Sequence, residues 1–238
     1  SYTPGTAMTA QNTATSTVAL GDAFRVRLLI HFGTSNVAIN ERAFKLQYAT
    51  KSGTCDTSFT GETYIDATTT TPISYKDSAG VTDNTALGVA SDITHGGDTI
   101  VNQTYEEANN FTNSQATISS GQDGKWDFSL YDNNATQGQT YCLRVVQSDG
   151  SLLSSYSQIP EISIPVFAPI LNQIHYRWRN DNGSENSATY ASVEDTTLST
   201  GVYVGDRRRL RFSLSNTGNQ TATNYNYRVE YSTTTCSS

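Results

Sequence analysis

Along much of this chain apolar and polar residues alternate one for one. In "AFRVRLLIHF", Phe24, Val26, Leu28, Ile30 and Phe32 fall on one side, with Arg25, Arg27 and His31 on the other. Successive side chains of an extended strand leave opposite faces, so this period of two predicts a half-buried β-strand. The same pattern groups Phe44, Leu46 and Tyr48 in "AFKLQYA", Trp126, Phe128 and Leu130 in "KWDFSLY", and Tyr141, Leu143 and Val145 in "TYCLRVV". Between them stand "KSGT", "TGET", "DSAG", "SSGQDG", "DNNATQGQ" and "SDGS", where Gly, Asn and Asp supply positive φ or side-chain-closed turns. Strands cut by tight turns predict an all-β chain. One segment departs from the pattern. "TYEEANNFT", residues 104–112, predicts a short helix capped by Thr104, with Glu106 and Glu107 at the positive end of its dipole. Residues 80–97 are polar and without period, and are expected to form a long surface excursion.

The two ends of the chain echo each other. "VALGDAFRVRLLIHFGTSN" and "VYVGDRRRLRFSLSNTGNQ" share a Gly-Asp turn, an alternating strand and a second turn, which aligns Gly21 with Gly205. "FKLQYATKSGTC" then returns as "YRVEYSTTTC", aligning Tyr48 with Tyr231 and Cys55 with Cys236 at nearly the same offset. Offsets that drift only slightly, as loop deletions would make them, identify two copies of one module. Carrying the spacing from Cys55 to Cys142 forward from Cys236 sets the counterpart partner near position 323, so Cys236 is expected to stay unpaired within this chain. At the front, the strand-like "IHYRWRND" starts at Ile174, further ahead of Gly205 than Ser1 is ahead of Gly21. The first copy is therefore expected to lack its first strand and the second to be incomplete.

The length of 238 residues allows one large or two ordinary domains. Charged residues make up 16% of the chain, against roughly 25% in ordinary domains, which leaves solubility to Thr, Ser, Asn, Gln and Gly. A net charge of −7 argues against nucleic acid and anionic membrane surfaces, since both select basic faces. No run approaches the roughly 18 apolar residues of a membrane span. The single methionine is Met8 and the chain opens on Ser1, which suggests a processed product or a fragment. "IPVFAPILNQI" would make a stiff connector, because its prolines restrict φ.

"WDFSLYDNNATQGQTYCLRVVQSDGSLLSSYSQIPEISI" resembles the last strands of a fibronectin type III or immunoglobulin-like module, with Tyr141 where a tyrosine corner would sit. "QIHYRWRNDNGSE…ATY…EDT", "SGTCDTSFTGETY" and "THGGDTIVNQTYEEANNFTN" are similar to repeats of large bacterial surface proteins. The resemblance implies tandem immunoglobulin-like β-sandwich modules, the first over residues 1–168 with a long loop insertion and the second, partial, over 169–238. In immunoglobulin domains the tyrosine precedes the cysteine by two, whereas Tyr141 and Cys142 are adjacent and face opposite ways. A Cys55–Cys142 disulfide is therefore expected on the periphery, the alternative being two free buried thiols. Disulfides persist in oxidising compartments, so the protein is expected outside the cytosol, and the resemblance to surface-protein repeats implies the cell surface.

Candidate chemistry is sparse. His31, His95 and His175 show no ligand spacing in the sequence, and no nucleophile elbow, phosphate loop or His-Glu-x-x-His motif occurs. The acidic groups Glu106–Glu107, Glu161 and Glu194–Asp195 stand in polar contexts, without the apolar pocket that tunes a glycosidase acid. No catalytic residue and no metal ligand is assigned, and the chain is expected not to be an enzyme. No cofactor is assigned either, with calcium at "NDNGSE" as the one candidate, although an EF-hand alignment puts Trp178 at the first ligand position. In "DRRRLR", Arg207, Arg209 and Arg211 share a strand face, with Arg208 on the core side where the first copy has Phe24. They suit an acidic neighbouring subunit. Asn102, Asn110, Asn134, Asn182 and Asn219 meet the tripeptide rule for N-glycosylation.

Both tryptophans alternate in phase with core positions, Trp126 with Phe128 and Leu130, Trp178 with Ile174 and Tyr176, so they are expected inside. That weakens the alternative of an adhesive or carbohydrate-binding module. The favoured expectation is a structural subunit of an extracellular fibre whose partners are copies of itself. Neighbours would exchange β-structure head to tail, through Ile174, Tyr176 and Trp178 on residues 173–180 or through an N-terminal arm at 1–18.

Overall fold

The computed structural model describes residues 6–88 and 92–234. Cys236 and the first five residues of the expected N-terminal arm lie outside them. Their secondary structure is all β, in eleven strands: β1 (Thr15–Ser16), β2 (Ala23–Phe32), β3 (Phe44–Thr50), β4 (Ile65–Asp66), β5 (Ile73–Tyr75), β6 (Thr99–Glu106), β7 (Gln122–Asp132), β8 (Thr140–Gln147), β9 (Glu161–Ser163), β10 (Leu171–Asn180) and β11 (Arg208–Asn216). The chain divides into two compact units between Val166 and Phe167.

Unit 1 holds two sheets. One runs β1-β9-β8-β3-β4; the other runs β2-β7-β5, with β6 joined in parallel to β7. The alternating segments of β3, β7 and β8 lie inside these sheets, where Leu46, Trp126, Phe128, Leu130 and Leu143 are all fully buried, and that of β2 lies at an edge. The sheets pack through aromatic rings. Phe44 of β3 lies 5.6 Å from Trp126 of β7 between centroids, and Phe111 lies 5.7 Å from Phe44 and 4.8 Å from Phe128. Such offset and edge-on contacts add stabilisation beyond the buried area. Gly124 belongs to this packing, since a Cβ there would stand 2.7 Å from the Trp126 ring and the Ile118 methyl.

The helix expected over residues 104–112 is absent. Thr104–Glu106 finish β6, where main-chain pairing with β7 outweighs the helical propensity of Glu-Glu-Ala. Downstream, the Asn109 side chain accepts hydrogen bonds from the Leu46 N–H and the Tyr75 hydroxyl, tying the segment across β3 and β5.

The polar side of β7 is also not the solvent face that alternation suggests. Lys125, Asp127 and Ser129 are buried like their apolar neighbours. Part of the cover is the expected excursion. Its residues 84–87 are more ordered than the composition implies: the N–H groups of Asn84 and Leu87 donate to the carbonyls of Tyr105 and Gln103 on β6. A strand buried on both faces must satisfy polar side chains locally, and here Arg27 of β2 meets Asp127 while His31 of β2 and His95 of the excursion meet Asp123.

Cys55 and Cys142 are bonded, with Cα atoms 5.6 Å apart. The bond is less peripheral than expected, because Cys142 is fully buried and Cys55 half-buried. The loop that carries Cys55 folds over that face of β8. There the Arg144 guanidinium stacks 4.0 Å from the Tyr64 ring and 4.5 Å from Phe59, which packs edge-on against Tyr156. On the opposite face the Tyr141 hydroxyl accepts a hydrogen bond from the Thr136 N–H at 2.9 Å.

Among the described residues unit 2 contains one antiparallel strand pair, β10 with β11, in a register that sets Trp178 opposite Leu210 and Tyr176 opposite Phe212. The segment 225–231, "YNYRVEY", repeats the alternation of β3 yet forms no strand.

Candidate functional site

Two regions carry polar or unsatisfied chemistry. The first lies in unit 1, along the polar edge of β2 and β7. Register sets Arg27 opposite Asp127 and His31 opposite Asp123. The Arg27 guanidinium donates to Asp127 at 2.9 Å and also reaches Asp92 of the excursion. Burial pushes the Asp127 carboxyl up, and the Arg27 charge offsets part of that shift. Burial likewise pushes the Lys125 ammonium down. Further along, the Nδ1 atoms of His31 and His95 converge on Asp98 and the fully buried Asp123. Sequence spacing isolates these histidines, and the fold brings them together. His31 projects from β2 above Asp123, while the turn "HGGD" returns His95 and Asp98 to the same point. The i,i+3 spacing of His95 and Asp98 is the one sequence signal that could have flagged them.

Glu106, expected at the surface, is fully buried at the end of β6. Desolvation raises its carboxyl to about 8, against the hydrogen bond it accepts from the Thr104 hydroxyl. Glu107, by contrast, is half-buried; its carboxylate accepts from the Ser78 N–H and the Tyr105 hydroxyl, both at 2.7 Å. Glu161 pairs with Lys51 at 2.7 Å.

The second region is the β10–β11 pair of unit 2, which is covered on its charged face and open on its apolar one. Arg177 lies 3.4 Å from the Tyr190 ring centroid, and Arg179 is buried with its guanidinium donating to the Ala188 carbonyl. Opposite them Arg209 pairs with Asp181 at 2.6 Å and Arg211 with Glu185 at 2.7 Å. The acidic partners of the arginine ladder therefore come from the chain's own turn, while Arg207 is exposed and Arg208 pairs with Asp206. The same pairs engage the carboxylates of the "NDNGSE" calcium candidate.

On the apolar face, Ile174 is 47% and Leu214 44% exposed, with Tyr176, Trp178, Leu210 and Phe212 half-buried. Trp178 is thus only partly inside, because no second sheet covers it among the described residues. Residues 173–180 form an ordinary strand of their own unit. The arm at 1–18 is also engaged: Thr15 and Ser16 pair in parallel with β9, and the buried Thr17 donates its N–H to Ser163 at 3.1 Å.

His175 donates to Asp195 at 2.6 Å with Glu194 3.5 Å away, an exposed trio in which Asp195 holds the imidazole pKa up. Of the glycosylation candidates, Asn110, Asn134, Asn182 and Asn219 are exposed and Asn102 is half-buried. The Asn102 and Asn182 amides donate to Gly88 and Thr189, and the Asn219 side chain accepts from the Ala168 N–H.

Comparison with known protein families, curated proteins and solved structures finds no match.

Proposed function

We propose that the chain is a structural unit of an extracellular, surface-attached fibre, made of immunoglobulin-like modules joined head to tail by β-strand complementation. The strand arrangement of unit 1 supports the module type. β2-β7-β5 and β9-β8-β3 correspond to the B-E-D and G-F-C orders of an immunoglobulin sandwich, and the Tyr141–Thr136 hydrogen bond has the form of a tyrosine corner. The buried disulfide suits an oxidising compartment.

One observation carries the assembly. β2 is an edge strand of ten residues, paired on one side only among the described residues. In unit 2, β11 is the counterpart of β2 in the internal repeat, and there the same edge is occupied by β10. A long unpaired edge invites another strand. A β10-like strand laid on β2 in the β10–β11 register would set Trp178 opposite Val26 and Tyr176 opposite Leu28. The open apolar face of unit 2 in turn leaves Ile174 and Leu214 available to a neighbouring chain. Contacts of this heterologous kind propagate rather than close.

Sedimentation velocity across a concentration series, with electron microscopy of the products, tests the reading. The chain should form end-to-end oligomers that lengthen with concentration. The double substitution Ile174→Lys and Leu214→Lys, at half-exposed positions, should leave the circular dichroism unchanged and abolish assembly. A wild-type chain monodisperse at every concentration would overturn the proposal.

A further inference from the structure

We infer that His31, His95, Asp98 and Asp123 form a binding site for a divalent transition metal, best matched to zinc, that clamps the excursion onto the β2–β7 sheet. Each residue offers one ligand atom, and all four atoms lie within 4.8 Å of one another. The His31 Nδ1 stands 2.8 Å from Asp123 and 3.2 Å from Asp98, and the His95 Nδ1 stands 3.1 Å from each carboxylate. The rings are edge-on with centroids 5.3 Å apart. A tetrahedron with metal–ligand bonds of about 2.0–2.1 Å has edges of roughly 3.3 Å, so small outward shifts bring the four His–Asp distances to that length, and the two remaining edges start within 4.8 Å.

Hydrogen bonding alone accounts poorly for the arrangement. A neutral imidazole Nδ1 carries at most one hydrogen, yet both Nδ1 atoms face two carboxylates at nearly equal distance. Asp123 is fully buried, and its hydrogen-bond partners among the described residues are these two histidines. With neutral imidazoles the cluster has a charge of −2, partly out of water, which a divalent cation would cancel. Two imidazole nitrogens with two carboxylate oxygens suit zinc; calcium and magnesium select all-oxygen shells with more ligands. Bound metal would take both imidazoles as Nε2–H tautomers and leave their Nε2 atoms toward water.

The site joins three parts of the chain, with His31 from β2, Asp123 from β7, and His95 and Asp98 from the turn that ends the excursion. Beside it the excursion is held by the Arg27–Asp92 pair and by Gln11, whose amide exchanges two hydrogen bonds with the Thr94 main chain. Metal binding would therefore lock the cover over the buried polar face of β7.

The test is a titration of the full, chelator-stripped chain with Zn2+ by calorimetry, and with Co2+ by visible absorption. The expected result is one equivalent per chain, tetrahedral Co2+ bands, and slower proteolysis within residues 80–98 when metal is present. His95→Ala, at an exposed position, should weaken binding by about 100-fold or more and remove the bands, with unchanged circular dichroism. His175→Ala, in the exposed trio of unit 2, should leave binding unaltered. Stoichiometric binding that survives His95→Ala, or is lost in His175→Ala, would overturn the assignment. So would a wild-type chain that takes up no Zn2+ while the circular dichroism shows it folded.

Discussion

β2 and β11 carry the same motif and meet opposite fates. Counted from the Gly-Asp turns, Arg25 and Arg27 of β2 correspond to Arg209 and Arg211 of β11, and Val26, Leu28 and Ile30 to Leu210, Phe212 and Leu214. In unit 1 Ile30 is buried while Val26 and Leu28 are half-buried, and Arg27 is met by Asp127 from a strand 100 residues away. In unit 2 the apolar set lies half open, and Arg211 is met by Glu185 from a turn 26 residues away. The contrast sharpens one strand further on. Tyr48 of β3 is 4% exposed, while its counterpart Tyr231 is 93% exposed in a segment without a partner strand. Alternation specifies which side chains can share a face, but burial comes from strands distant in sequence. A lone two-stranded pair does not supply it.

The comparison is broken most directly by truncating the core of one unit and the matching alternation of the other. Trp126→Ala removes a fully buried ring that packs edge-on against Phe44 and tilted against Phe111 and donates to the Thr112 carbonyl at 3.1 Å. It should cost unit 1 about 3–5 kcal/mol in urea-denaturation midpoint experiments. Tyr231→Ala, at an equally in-phase position, should change stability by less than about 0.5 kcal/mol. If Tyr231→Ala proves as damaging as a core truncation, the segment 225–231 is packed in solution and unit 2 is more complete than described.

These outcomes also bear on how much was legible beforehand. The strands centred on Phe24, Leu46, Trp126 and Leu143 follow from alternation alone, because each has one apolar side. β7 exceeds that reading: Lys125, Asp127 and Ser129 look like a solvent face, and only a cover without any period of its own buries them. The segment 104–112 looks helical because local propensity favours it, and long-range pairing with β7 decides otherwise. The histidine cluster escapes for a related reason. His31 and Asp123 are 92 residues apart, and only strand register brings them opposite. Spacing rules for metal sites assume ligands near one another in sequence. The disulfide was legible because a repeat offset isolates Cys55 and Cys142 from Cys236.

A second difference between the units is electrostatic and depends on pH. Glu106 of unit 1 is buried, and its carboxyl is raised from 4.5 to about 8. The folded chain keeps a proton that the unfolded chain releases, so stability falls as pH rises from about 4.5 and levels off above about 8. Full conversion of that shift sets a ceiling of about 5 kcal/mol, and residual hydration reduces it to about 3 kcal/mol. Glu106→Gln should therefore be more stable than wild type by about that amount at pH 9 and equal to it near pH 4, in paired thermal melts. In unit 2, His175 is raised above 6.5 by Asp195 at the surface. Its contribution is present below 6.5 and fades as pH passes the raised value, with a small amplitude. A Glu106→Gln variant that keeps the wild-type decline toward alkaline pH would assign the decline to another group.

The smallest expected effect separates the two arginines. Arg27 and Arg211 occupy one repeat position, yet Arg27 is 9% exposed against Asp127 at 2%, whereas Arg211 and Glu185 are 46% and 79% exposed. Removing one partner of a buried pair leaves the other charge desolvated, and Asp127 is already pushed upward by burial. Arg27→Ala should cost about 2 kcal/mol, tempered because Asp92 on the other side of the guanidinium stays hydrated. The loss should shrink as pH falls and Asp127 takes up a proton. Arg211→Ala breaks a solvated pair and should cost about 0.5 kcal/mol or less, vanishing in high salt. A double-mutant cycle on each pair isolates the coupling from the loss of packing by the arginine stem. Equal coupling energies would mean that Arg211 is buried in the protein's working state. That outcome would locate a covering partner on the arginine face of unit 2, and the strand that docks there would carry an acidic residue in the position Asp127 holds beside Arg27.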